Sequence, residues 1–160
     1  MSHTLVLGLG NTLLGDEGVG VYAVQRLEQA LADARDVHCL DGGTLSFTLA
    51  GPIEDCHRLV VIDAAELHEE PGSARVFEGE EMDRHVGAGG KRSVHEVSLA
   101  DLLAIACLAG RLPDQRALIG IQPEFVDWSD TPTAAGLRGI ETACTLALDL
   151  IRRWEQPDAA

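Results

Sequence analysis

The stretch TLVLGLGNTLLGDEGVG, residues 4–20, joins a short apolar run to a glycine-rich turn and then to the start of a helical pattern. TLVLGLG (4–10) has the length and near-continuous apolarity of a fully buried strand. Residues 18–34, GVGVYAVQRLEQALADA, put Val19, Ala23, Ala30 and Ala34 on one helical face with Leu27 close beside them. Strand, turn and helix in that order open an alternating α/β chain. The turn between them holds two adjacent carboxylates, Asp16 and Glu17, at a place that ordinarily receives phosphate.

The alternation continues outward from that unit. DVHCLD (36–41) reads as a second strand ending at Gly42-Gly43, followed by a short helix over about 45–55 with Pro52 within it or near its last turn. RLVVIDA (58–64) is a third strand, and after the turn signal EEPG, SARVFEG (73–79) is a fourth. VGAGGKRS (86–93) reads as a glycine-rich loop. Ser98, with Asp101 three residues on, predicts a capped helix from Leu99 to about Ala109. RALIGIQPE (116–124) is a fifth strand, stopped by Pro123. The last helix is predicted from TPT (131–133), with Pro132 in its first turn, to about Trp154, on a stripe of Ile140, Cys144, Ala147, Ile151 and Trp154. These readings predict a three-layer α/β/α fold with a five-stranded, mainly parallel twisted sheet, as one domain over residues 1–160.

Charge and composition exclude several classes of function. The 160 residues carry a formal net charge of -14 with no Lys/Arg cluster, which repels nucleic acid and anionic membrane alike. No apolar run reaches the roughly 18 residues of a membrane span, and LVLGLG lacks the basic lead-in and cleavage site of a signal peptide. A cytoplasmic protein is expected. Cys39, Cys56, Cys107 and Cys144 are dispersed, without zinc-finger spacing or a disulfide pattern, and read as buried free thiols.

In a mainly parallel sheet the ligand site lies at the carboxyl ends of the strands. The polar residues at those ends are Asn11, Asp16 and Glu17, then Asp41, Asp63, Gln122 and Glu124. A dinucleotide reading fails, because Leu13 stands where GxGxxG needs its third glycine, and no GxxxxGK[ST] occurs. Two negative charges at the helix start would also oppose a phosphate. A ligand of the opposite sign suits the turn: Glu17, Asp63 and a histidine brought from elsewhere, His95, offer two oxygens and one nitrogen with a position left open. Taken singly, each has a plainer role: acids that favour a helix N-terminus, a loop-capping aspartate, a surface histidine. No GxSxG elbow, HExxH helix or papain-like cysteine context is present.

GLGNTLLGDEGVG (8–20), LDGGT (40–44), VVIDA (60–64) and SVHEVSLADLL (93–103), in that order, resemble the maturation endopeptidases of nickel-iron hydrogenases. The resemblance implies a hydrolase that removes a C-terminal extension from the large-subunit precursor after nickel insertion, cutting beyond the substrate's metal-binding cysteine motif. It matches the family's metal-contacting positions to Glu17, Asp63 and His95, and the aspartate of its DGG motif to Asp41, with Gly42 and Gly43 beside it in substrate recognition. Asp16 is carried as a further catalytic candidate. The implied metal is nickel presented by the substrate; the site itself is expected to bind Ni, Zn or Cd weakly, with no organic cofactor, in a monomer. The same ligands would also serve a non-enzymatic nickel-sensing or carrier protein that docks on the precursor.

Overall fold

The computed structural model describes residues 3–88 and 97–156. Within them the chain runs β1 (Thr4–Leu9), α1 (Val19–Ala30), β2 (Val37–Gly43), α2 (Ala50–Asp55), β3 (Arg58–Ala64), β4 (Ala74–Glu78), α3 (Glu80–Ala88), α4 (Leu99–Leu108), β5 (Gln115–Ile121) and α5 (Ala134–Glu155). Single turns of 3-10 helix, Gly15–Gly18 and Phe47–Leu49, lead into α1 and α2.

The five strands form one sheet in the order β2-β1-β3-β5-β4. All neighbours are parallel except β4, which runs antiparallel to β5 at the edge. Because β2 lies on one side of β1 and β3 on the other, the winding reverses between β1 and β3, and a crevice opens beyond their carboxyl ends.

Alternation along the buried strands sends side chains to two cores. Leu5, Leu7, Leu59, Val61 and Leu118 pack with Ile53 of α2, Met82 of α3 and Leu102 of α4. On the opposite face Val6, Val60, Ile62 and Ile119 pack with Leu27 of α1 and with Ile140, Ala147 and Ile151 of α5. The three layers are those expected from the sequence. Gly20 lets α1 approach closely: a Cβ there would overlap the carbonyl oxygens of Leu9 and Ile62, so the start of the helix rests on the ends of β1 and β3.

Several local readings are corrected. α1 ends at Ala30, which is exposed, so Ala30 and Ala34 do not extend its buried face; Val24 does. The strand predicted to Glu124 stops at Ile121. The N-cap of α5 is Thr133, whose side chain accepts from the Gly136 N–H, and this leaves Pro132 just outside the helix. The Ser98 and Asp101 capping box is present as read. Part of the segment read as a glycine-rich loop, Val86–Ala88, closes a helix, α3, that the sequence reading omitted; the rest of that segment lies outside the described residues. Cys56 is buried, Cys39 and Cys144 are half-buried, and Cys107 is exposed on α4. Among the described residues no helix is long and apolar enough to cross a membrane.

Candidate active site

The turn after β1 is built from main-chain constraints. Gly10 adopts φ 137°, and a side chain there would collide with the Glu17 carbonyl. Its N–H donates to Gly43 O at 2.9 Å, tying the turn to the end of β2. Asn11 then folds the chain back, its Oδ1 accepting from Leu13 N at 2.9 Å and its carbonyl from Leu14 N at 3.1 Å. The following 3-10 turn, Gly15–Gly18, carries Asp16 and Glu17.

Asp16 and Glu17 are adjacent in sequence and opposite in role. Asp16 is fully buried. Its Oδ1 accepts from Thr133 N at 2.8 Å, and its Oδ2 accepts from Thr133 Oγ1 at 2.7 Å, Glu124 N at 2.9 Å and Phe125 N at 3.3 Å. Burial pushes the carboxyl upward, but the hydrogen bonds from Glu124, Thr133 and Phe125 outweigh it and hold Asp16 below the ordinary carboxylate range. A Cβ on Gly136 would overlap this carboxylate, so the first turn of α5 sits directly against it. The sequence reading carried Asp16 as a catalytic candidate; this geometry makes it a positioning group, since neither oxygen can meet a substrate.

The anchored segment is sewn to the turn by main-chain bonds as well. Asp16 N donates to Phe125 O at 2.9 Å, Gly15 N to Ser129 O at 3.0 Å and Ser129 N to Leu13 O at 3.0 Å. Thr133 was missed as a site residue, although its place at the start of the last helix was legible; its partner lies 117 positions away.

Glu17 and Asp63 meet at the reversal point. Glu17 is half-buried and takes part in polar interactions there. Asp63, near the end of β3, is pushed up to about 8, chiefly by burial and then by the negative charge of Glu17, against a smaller lowering by a hydrogen bond from the Ala64 backbone. Two carboxyls within electrostatic reach, one of them desolvated, make a pair that favours a cation between them. Among the described residues no group of three His, Cys, Asp or Glu side chains converges at metal-ligand spacing. The third expected ligand, His95, lies outside the described residues.

Asp41 is exposed at the end of β2, where its Oδ1 accepts from Gly43 N at 2.8 Å. With Gly10, Asn11, Leu13, Gly43 and Thr44 it lines an open cleft of about 260 Å³ beside the acidic turn. Gln122, buried, accepts from Leu67 N at 2.7 Å and braces the loop after β3. The Cys39 and Cys56 thiols are each raised by burial to about 11, which leaves both as inert packing groups.

The family model of hydrogenase maturation proteases matches residues 21–148. The chain is 38% identical over 152 residues to the hydrogenase expression/formation protein HupD of Rhizobium leguminosarum bv. viciae, covering 94% of this chain and 74% of that protein. It is 34% identical over 151 residues to the hydrogenase 2 maturation protease of Escherichia coli K12, covering 92% and 90%. Among solved structures, the E. coli hydrogenase maturating endopeptidase HybD superposes with a TM-score of 0.83 at 31% identity, covering 96% of this chain and 94% of that one.

Proposed function

The chain belongs to the hydrogenase maturation protease family, and from that premise we propose that it cuts the C-terminal extension from a nickel-iron hydrogenase large-subunit precursor, with the substrate's own nickel seated against Glu17 and Asp63. It is an endopeptidase, as its relatives are, and its substrate is the hydrogenase large subunit. The family decides between the peptidase and carrier readings of the acidic turn.

One observation carries the nickel reading. Asp63 is held in a place where burial and the neighbouring Glu17 both oppose its ionisation. A divalent cation brought to the pair offsets the repulsion between the carboxylates and favours the ionised form of Asp63. Oxygen donors from Glu17 and Asp63, with a nitrogen from His95, form a hard-to-borderline set that accepts nickel, zinc or cadmium without the closure of a structural site. In this reading the metal arrives as part of the substrate, and no organic cofactor is needed.

Docking the metal there sets the scissile peptide beside the same carboxylates. Hydrolysis then needs a group to take a proton from the attacking water and return it to the leaving amine. A carboxylate of the pair or His95 takes that role in this reading, and Asp41 and Gly43 bound the cleft along which the substrate chain lies, whereas Gly42 faces the Leu7 and Leu9 side chains. In this reading the reaction is cytoplasmic, as expected from the sequence.

The test is to incubate nickel-loaded and nickel-free precursor with the protein and to weigh the product. Loss of the extension from the loaded form alone, abolished by Glu17→Gln, is the expected result. Equal cutting of both forms would sink the nickel reading.

A further inference from the structure

The acidic turn is flanked by large apolar side chains that face solvent. Trp128 is 76% exposed, Leu13 57%, Val126 49% and Phe125 45%. They stand on two loops joined by the Leu14 and Ser129 bridge and by the main-chain bonds that fix Asp16, so the loop that presents Glu17 and the loop that presents Trp128 are one rigid surface. The Phe125 ring lies over Gly15, where a Cβ would come within 3.2 Å of its Cδ1. Clustered exposed apolar groups held on a rigid frame mark a binding surface, and tryptophan is the side chain that most often anchors one.

Charge says what kind of partner fits. The chain has no Lys or Arg before Arg26 and none between Arg116 and Arg138, so neither loop contributes a cation. Glu124, Asp127 and Asp130 stand exposed around the apolar side chains. A surface with apolar anchors and an acidic rim selects a segment with apolar side chains flanked by Lys or Arg. A second copy of this chain, at a net charge of -14, is repelled.

We propose that Trp128, Val126, Phe125 and Leu13 form a docking surface for a basic, apolar segment of the hydrogenase large-subunit precursor, outside the bond that is cut. The proposal rests on the proposed function, since it takes the same substrate and extends its site. The surface holds the precursor body while Glu17 and Asp63 receive the metal. Its continuity with the Glu17 turn means that docking and metal seating occur on one frame, with no segment needing to move between them.

The experiment measures binding and cleavage separately, on nickel-loaded precursor, with the unmodified protein, a Val126→Ser/Trp128→Ser double variant and Glu17→Gln. Both serines replace exposed side chains, and an unchanged thermal melt certifies the fold. The double variant is expected to weaken binding at least tenfold and to raise KM by a similar factor, with kcat within twofold. Glu17→Gln is expected to bind and not to cut. Binding of the unmodified protein should weaken with added salt, and Glu124→Gln/Asp130→Asn should flatten that dependence. Equal affinity of the double variant and the unmodified protein overturns the surface and leaves the proposed function standing. Binding without any cleavage by the unmodified protein overturns the proposed function and leaves the surface standing. Absence of binding, or a dimer in sedimentation that dissociates on Trp128→Ser, overturns the surface as well.

Discussion

Thr133 reaches Asp16 twice, its backbone N–H donating to Oδ1 at 2.8 Å and its hydroxyl to Oδ2 at 2.7 Å. The Glu124 and Phe125 amides also donate to this buried carboxylate, so Asp16→Asn would point an NH₂ group at other N–H or O–H groups. The expected loss is about 2 to 4 kcal/mol, the range for leaving a buried, charge-assisted network unsatisfied. Urea denaturation measures it. Variant that remains folded should still cut the same bond, as befits a positioning residue; unchanged stability would show that the network adds nothing.

Asp63 and Asp16 have opposite linkage to pH. Asp16 is lowered on folding, so the stability it contributes is complete above its unfolded value near 4 and is lost as pH falls through the folded one. Asp63 is raised to about 8, so the metal-free protein binds a proton that the unfolded chain has released, and stability falls as pH rises from about 4 to 8. Asp63→Asn should therefore stabilise the metal-free protein by about 1 to 3 kcal/mol at pH 8, and less at pH 5, while abolishing cleavage. Melts at the two pH values decide it; equal stabilisation at both would remove titration as the cause.

His95→Ala should weaken nickel or zinc binding by at least tenfold in titration calorimetry and leave the metal-free melt within about 2 °C. A melt lowered by ten degrees or more would place the imidazole in the core instead of at the metal.

Asp41→Asn retains an oxygen that can accept from Gly43 N, the bond that closes the turn at φ 51°. Folding should therefore survive, while removal of the charge from the cleft changes KM for precursor several-fold. The measurement is cleavage kinetics beside a melt. Unchanged kinetics would confine Asp41 to closing its turn.

Legibility in the sequence followed how locally each feature is determined. β3 was read at its observed limits, Arg58–Ala64, because a continuous β-branched run buried on both faces has a single reading. α3 was missed because its own sequence says little: only Met82 is buried, and the helix is held from outside by Arg116, whose guanidinium bonds the Asp83 carboxylate, and by Phe77 stacked on His85 at 4.1 Å. Ala30 and Ala34 fit a helical stripe, but nothing in the periodicity showed that the helix ends at Ala30 with that residue exposed. The site was legible in its residue types and in its place at the strand ends. The burial of Asp16 was not, since its partners are the amides of residues more than 100 positions distant.

The Asp16 network also orders events in time. Synthesis delivers the acidic turn before the donors that shape it, Glu124 to Thr133, which follow it by 108 to 117 positions. β1, at the middle of the sheet, likewise waits for β3, and β3 for β5. A nascent chain thus carries Asp16 without its hydrogen-bond donors until the segment Glu124 to Thr133 has been made. The acidic turn thus takes its folded form only after more than a hundred further residues have been made.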